Sequence, residues 1–220
     1  MVSTPLHATT HAMLDSVATT TVAETALLLR SPLIKDEPNA PRTPESINFQ
    51  VVSITDFPEC GYLGNSERSI SVKNQLATAY KYQLQPNDVL ISIVGSIGRV
   101  AIVPPDFQNQ AIPSSNLVIF RLFNPDPQAA ILAGMFYKSD MGQKILADLT
   151  HGKTIPLISK KTFAKTPFPV IENEVIYDGV SLFNKEIWAK QKCMEIEEDV
   201  RTARKHFLST EDPTNSGKQN

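Results

Sequence analysis

The sequence predicts an α+β fold: a mixed, irregular sheet with short helices, followed by one long C-terminal helix for coiled-coil pairing. Three observations carry this. Short β-branched runs at 49–55, 89–94, 99–103 and 117–122 are separated by turns rich in Gly, Pro and polar residues. Two short segments with helical spacing follow at 127–138 and 140–149. From Asp178 to Ser209 there is then no proline and no glycine but Gly179.

Each element follows from local chemistry. Residues 1–20, rich in Thr, Ala and Ser, are predicted as a flexible N-terminal tail, and 21–176 as the folded domain. The apolar run within TVAETALLLRSPLIK (21–35) stops at Ser31-Pro32, because proline disfavours helix at the residue before it. The acidic, proline-rich stretch 36–46 is a surface loop. FQVVSIT (49–55) reads as a strand, and 56–75, with Gly61 and Gly64, as a long loop. Pro86-Asn87-Asp88 turns the chain into VLISIV (89–94). The loop Gly95-Ser96-Ile97-Gly98 then returns it through RVAIV (99–103), the clearest hairpin in the sequence. A polar loop (107–116) leads to the strand LVIFRL (117–122). Asp126 is placed to cap a helix with Pro127 at its first position, Ile131, Leu132, Met135 and Phe136 facing inward. Ser139 caps a second helix, with Met141, Ile145 and Leu149 four residues apart, and His151-Gly152 ends it. Ile155–Ile158 is extended, Ser159 caps a short turn, and Pro167–Val170 can only be an edge strand or linker.

The last element is predicted over 177–209, before a disordered tail at 210–220. Leu182, Ala189, Cys193, Ile196, Val200, Ala203 and Phe207 fall mostly on alternating three- and four-residue steps, a near-heptad stripe that Glu186 interrupts once. About 30 residues at 1.5 Å each reach roughly 45 Å. That exceeds what a domain with a radius of gyration of roughly 15 Å can cover, so the helix is expected to project and to seek a second helix. The competing reading folds it back on the core.

Composition narrows function. With 220 residues, 41% hydrophobic and 20% charged, the chain can bury a core without disulfides or metal. No apolar run reaches a membrane span, no signal peptide is visible in MVSTPLHATTHAMLDS, and Cys60 and Cys193 make no metal or disulfide framework. A cytoplasmic location is the default expectation. The net charge of −2 is uneven: −4 over residues 1–59, +5 over 60–165 and −3 over 166–220. A basic middle hints at a polyanion partner. No catalytic constellation emerges. His7 and His11 have i,i+4 spacing without a third ligand, and there is no GxSxG elbow or P-loop. Pro105-Asp106 lacks the acid-x-Lys of a metal nuclease, and Asn124-Pro125-Asp126-Pro127 lacks the aromatic of an amino-methyltransferase loop. A self-cleaving serine/lysine repressor-type peptidase stays open as an alternative, because Pro86-Asn87-Asp88-Val89-Leu90 before a hairpin resembles its β-core. Ser66, Ser69 and Ser71 precede that turn, but none is followed by Met. No enzyme, cofactor or metal is therefore expected.

The run YQLQPNDVLISIVGSIGRVAIV (82–103) resembles the target-recognition domain of type I restriction–modification specificity subunits. Further matches follow in order: Ser114-Ser115-Asn116-Leu117, Phe136-Tyr137-Lys138-Ser139-Asp140-Met141-Gly142 with its Ser-x-x-Gly junction, His151-Gly152-Lys153-Thr154-Ile155-Pro156 with Ile158-Ser159, and Thr166-Pro167-Phe168-Pro169. The similarity spans roughly 22–208. It implies a non-catalytic subunit that binds double-stranded DNA and aims an adenine DNA methyltransferase, with any associated restriction subunit, at a target site. A full-length family member has two such domains and two long helices; this chain has one of each. A homodimer of half-subunits, paired through the stripe Leu182–Phe207, would restore the pair; a truncated, non-functional copy is the other reading. On the DNA reading, Arg68, Lys73, Lys81, Arg99, Lys153, Lys160 and Lys161 are the cationic candidates. Ser66, Ser96, Ser114, Ser115, Asn116, His151 and Thr154 are the polar loop groups for base edges. Lys153, Lys160 and Lys161 near a Ser159-capped turn are the expected phosphate site.

Overall fold

The computed structural model describes residues 18–37, 46–152, 154–170 and 173–209, with side chains in the last helix described over 179–205. Residues 38–45, Lys153, residues 171–172, the side chain of Phe207 and both termini lie outside them.

Three sheets build the domain. The first pairs β1 (Thr19–Thr21) with the edge strand Pro167–Pro169. The second holds β2 (Ala26–Arg30), and the third β3 (Ile47–Val52) with β4 (Ser69–Val72) antiparallel to it. A four-residue helix, α1 (Val22–Thr25), joins β1 to β2, and α2 (Leu76–Lys81) follows β4. The hairpin of β5 (Val89–Ser92) and β6 (Val100–Ile102) comes next, then β7 (Ala111–Pro113) and β8 (Leu117–Leu122). The central sheet has four strands in the order β2-β8-β5-β6, all antiparallel; the three-stranded sheet has the order β4-β3-β7, with β3 and β7 parallel.

The hairpin, β8 and the two helices α3 (Pro127–Lys138) and α4 (Asp140–Asp148) form as predicted. The Asp126 carboxylate accepts from the Gln128 and Ala129 amides at 2.9 and 3.0 Å. The Ser139 hydroxyl accepts from Gly142 N at 3.3 Å. After α4 come α5 (Lys160–Phe163), β9 (Pro167–Pro169) and α6 (Asn173–Ser209).

Several expectations are corrected. Thr19 and Thr20, assigned to the tail, belong to β1, because Pro167–Pro169 offers them an edge. The long loop at 56–75 contains β4, in which Ile70 and Val72 point inward and Ser69 and Ser71 outward. The polar loop at 107–116 contains β7, and α2 had no prediction. The strand expected through Thr55 ends at Val52, where Ser53 opens a 3-10 turn over Ile54–Asp56. The long helix begins at Asn173 rather than 177.

The central sheet is buried on both faces. One face carries Ile91, Val100, Val118 and Phe120 against α3, α4 and α6, with Tyr137, Phe163 and Phe168 in an aromatic cluster around Phe120. The other carries Leu90, Ala101, Leu117 and Ile119 against Phe57, Leu63, Leu84 and Phe107. A third cluster fills the space between α2 and the β4-β3-β7 sheet. Near its start α6 docks on the first face: Phe183 is 1% exposed, and Val180 and Ile187 pack beside it. Lys190 Nζ reaches Glu59 at 2.6 Å. Every residue from Trp188 to Lys205 is exposed, so this half of the helix projects for about 27 Å. No helix among the described residues is long and apolar enough to cross a membrane.

Candidate nucleic-acid interface

The antiparallel registers put the ends of all four strands, β2, β5, β6 and β8, together at one end of the central sheet. β2 ends there at Arg30, opposite Val118, and β5 ends at Ser92, opposite Leu117; β6 begins there at Val100. The loops at this end hold each other through the backbone. Ile93 N donates to Asn116 O and Ile158 N to Ile93 O, both at 2.9 Å, and Gly95 N donates to Pro156 O at 3.0 Å. His151 and Leu157 exchange two bonds of 3.1 and 2.8 Å, which bring the two ends of this segment together. Gly152 makes that closure with φ +104°, and a Cβ there would stand 2.5 Å from Ile155 O.

The hairpin tip is braced from beneath. Ser92 is wholly buried; its hydroxyl donates to Ser96 O at 2.6 Å and accepts from Arg99 N at 2.8 Å. From α4, Gln143 Nε2 donates to Gly98 O at 2.8 Å and to Tyr137 O at 2.5 Å. The tip is thus tied to the core before any ligand arrives, which lowers the ordering cost of binding.

Ser96, Arg99, Ser114, Ser115, Asn116, His151 and Thr154 all lie in the loops at this end, Ser114 and Ser115 half-buried and the others exposed. His151 Nδ1 is 3.2 Å from Leu149 O. A carbonyl oxygen only accepts, so Nδ1 is the donor in that contact. Lys160 and Lys161 are exposed two and three residues beyond the Ile158–Ile93 bond. The expected Ser159 cap is not made: its hydroxyl bonds no amide of α5, and its carbonyl instead takes Phe163 N and the Thr162 hydroxyl. A single-turn helix without a side-chain cap is no anion site, so exposed charge is all that this turn offers at Lys160 and Lys161.

Other candidates are elsewhere. Ser66 is 5% exposed and donates to Val51 O at 2.9 Å, a structural serine rather than a loop contact or a nucleophile. Arg68 precedes β4 and is exposed; its carbonyl accepts from Val51 N, beside the strand that leads to Ser114. Lys73 follows β4, about 16 Å from Arg68 along the strand, and Lys81 closes α2 with its ammonium 5.6 Å from the Tyr82 ring centre. Neither joins the loop cluster. Among the described residues no group of three or more His, Cys, Asp or Glu side chains could hold a metal.

Residues not anticipated are Ser92, Gln143, Arg121 and Arg30. Ser92 had a signal, a lone hydroxyl inside VLISIV; Gln143 and Arg121 had none, because their partners are distant in sequence. At the opposite end of the sheet, Arg121 and Asp88 form a bidentate pair with both contacts at 2.8 Å. This pair and Gln85–Asn87, Phe123 and Pro125 line a groove of about 430 Å³.

No protein-family model and no curated protein matches the chain. Solved structures do. The type I restriction–modification S subunit from M. genitalium aligns over 90% of this chain with a TM-score of 0.53 and 19% identity. A chain from a structure of the assembling type I R-M system aligns over 89%, with a TM-score of 0.53 and 14% identity. The chain has the fold of a type I specificity subunit. It spans about half the length of these relatives, 48% and 47% of their chains. The chain also aligns with the type IIG restriction endonuclease BpuSI, at a TM-score of 0.55 and 9% identity over 80% of this chain and 28% of that one.

Proposed function

We propose that this chain is a non-catalytic DNA-recognition subunit. It binds double-stranded DNA in a sequence-dependent way and directs an adenine DNA methyltransferase, with any associated restriction nuclease, to its site in the cytoplasm. The observation that carries the reading is the braced loop end of the central sheet, where polar and cationic side chains from five separate segments converge within a specificity-subunit fold. Loops of this kind supply both requirements of recognition, cations for phosphates and directed donors and acceptors for base edges. Support from Ser92 and Gln143 under the hairpin tip, with the backbone bonds between neighbouring loops, favours the fixed relation that base reading demands. Pairing of two copies through the exposed stripe of α6 supplies a two-fold arrangement and a palindromic target.

The test is binding of the purified chain to duplex DNA as a function of salt. Affinity falls steeply with ionic strength, and selectivity sharpens when the methyltransferase is added. Exchanging Lys160 and Lys161 together for Ala weakens binding to all sequences alike and lowers the salt slope by about two. A double variant with unchanged affinity removes this edge from the phosphate contact.

A further inference from the structure

Arg30 ends β2 at the loop end of the central sheet and is exposed. Its Nε donates to the Ser115 carbonyl at 3.2 Å, a contact across 85 residues of chain. The ion pairs between described residues do not include it. One N–H of the guanidinium is committed to a backbone oxygen two residues before β8, and among the described residues no ion-pair partner takes the terminal amino groups. This differs in kind from Lys160 and Lys161. An ammonium on a flexible stem is a point charge that serves any phosphate, whereas a tethered guanidinium is a planar fork with a set direction.

A planar fork has a specific complement in duplex DNA. Guanine shows two acceptors, N7 and O6, side by side in the major groove, and a guanidinium meets both with parallel N–H donors. Tethering removes part of the rotational freedom that such a contact would otherwise cost. The neighbour of the tethering residue, Asn116, is an exposed amide, the group that matches adenine N6 and N7. Resting on the DNA-recognition reading above, we infer that Arg30 is a specificity-determining residue that reads a guanine.

The full chain is incubated with a randomised pool of double-stranded DNA, and the bound fraction is sequenced for wild type, Arg30→Lys and Arg30→Ala, with circular dichroism confirming the fold of each. Lysine keeps the charge and a donor for the Ser115 carbonyl but lacks the fork. The wild type enriches a motif containing guanine. In Arg30→Ala the preference for guanine at one position drops by roughly 5- to 150-fold, in Arg30→Lys it drops less, the other positions persist, and the salt slope of Arg30→Lys is unchanged. A wild type that enriches no motif overturns the recognition reading and this inference with it. A motif that survives intact in both variants overturns the role of Arg30 alone. So does a uniform loss across all sequences with a salt slope lower by about one in Arg30→Ala, the mark of a phosphate contact.

Discussion

Asp88 is fully buried, yet it faces a cation. Its Oδ1 accepts from Arg121 Nε, and its Oδ2 from Arg121 Nη2 and from Gln85 N at 2.7 Å. Burial pushes the carboxyl above its ordinary range, and the Arg121 bonds and charge pull against it. Arg121→Met removes that counterweight and strands the carboxylate. The variant is expected to lose about 3–5 kcal/mol at pH 7. Its Asp88 then has a folded-state pKa well above the unfolded value, so the group's contribution to stability is retained below the unfolded value, near 4, and lost as pH rises through the folded one. The deficit against wild type therefore shrinks on acidification, which urea midpoints at pH 7 and pH 4 measure. An equal deficit at both would show that Asp88 does not carry the effect. The turn at Pro86-Asn87-Asp88 was legible from its residue types; the partner of Asp88, 33 positions away, was not.

Among the elements, the α3–α4 corner shows how a short motif encodes close packing. Ser139 donates to Phe136 O at 2.7 Å and receives Gly142 N, and this folds α4 back so tightly that a Cβ on Gly142 would collide with Phe136 O and stand 2.6 Å from Tyr137 Cα. Both neighbours are backbone and cannot yield without opening the corner. Gly142→Ala is expected to cost about 1–3 kcal/mol or more, a fall in Tm of roughly 2–12 °C. Gly64→Ala serves as control, since nothing lies within 4 Å of its added Cβ. Equal melting of the two variants would refute the corner as the tight point. The spacing Ser-x-x-Gly announced a junction, but its cause is the approach of two backbones. By contrast α2 has no side-chain cap, and Ala79, 0% exposed, sits against the sheet. Such an element owes its existence to packing and leaves a faint local signal.

At the scale of the molecule, α6 divides its surface. Gly179, Phe183 and Ile187 face the domain, whereas Leu182, Ala189, Cys193, Ile196, Val200 and Ala203 lie roughly a third of a turn away. Leu182, Ile196 and Val200 are 51, 61 and 43% exposed. Both readings of the helix thus hold a share: its start folds onto the core, and its remainder projects. On the proposed pairing, the wild type has a solution mass near twice 24.3 kDa, and Ile196→Glu with Val200→Glu halves it while circular dichroism keeps the domain's signal. A monomeric wild type refutes pairing through this stripe. The side chain of Phe207, the last residue of the expected seam, lies outside the described ones.

What the sequence by itself determined was whatever depends on neighbours within a few positions. The hairpin at Gly95–Gly98, the caps at Asp126 and Ser139 and the long helix belong here, because turn chemistry, capping and periodicity are local. The tertiary structure alone decided the Ser92 and Gln143 braces, the Arg121–Asp88 pair, the docking of Phe183 and the tether between Arg30 and Ser115. It also withdrew Ser66 to the interior and left Lys73 and Lys81 away from the loop cluster. Those outcomes depend on which distant segments share a sheet end, and strand register, not residue type, sets that.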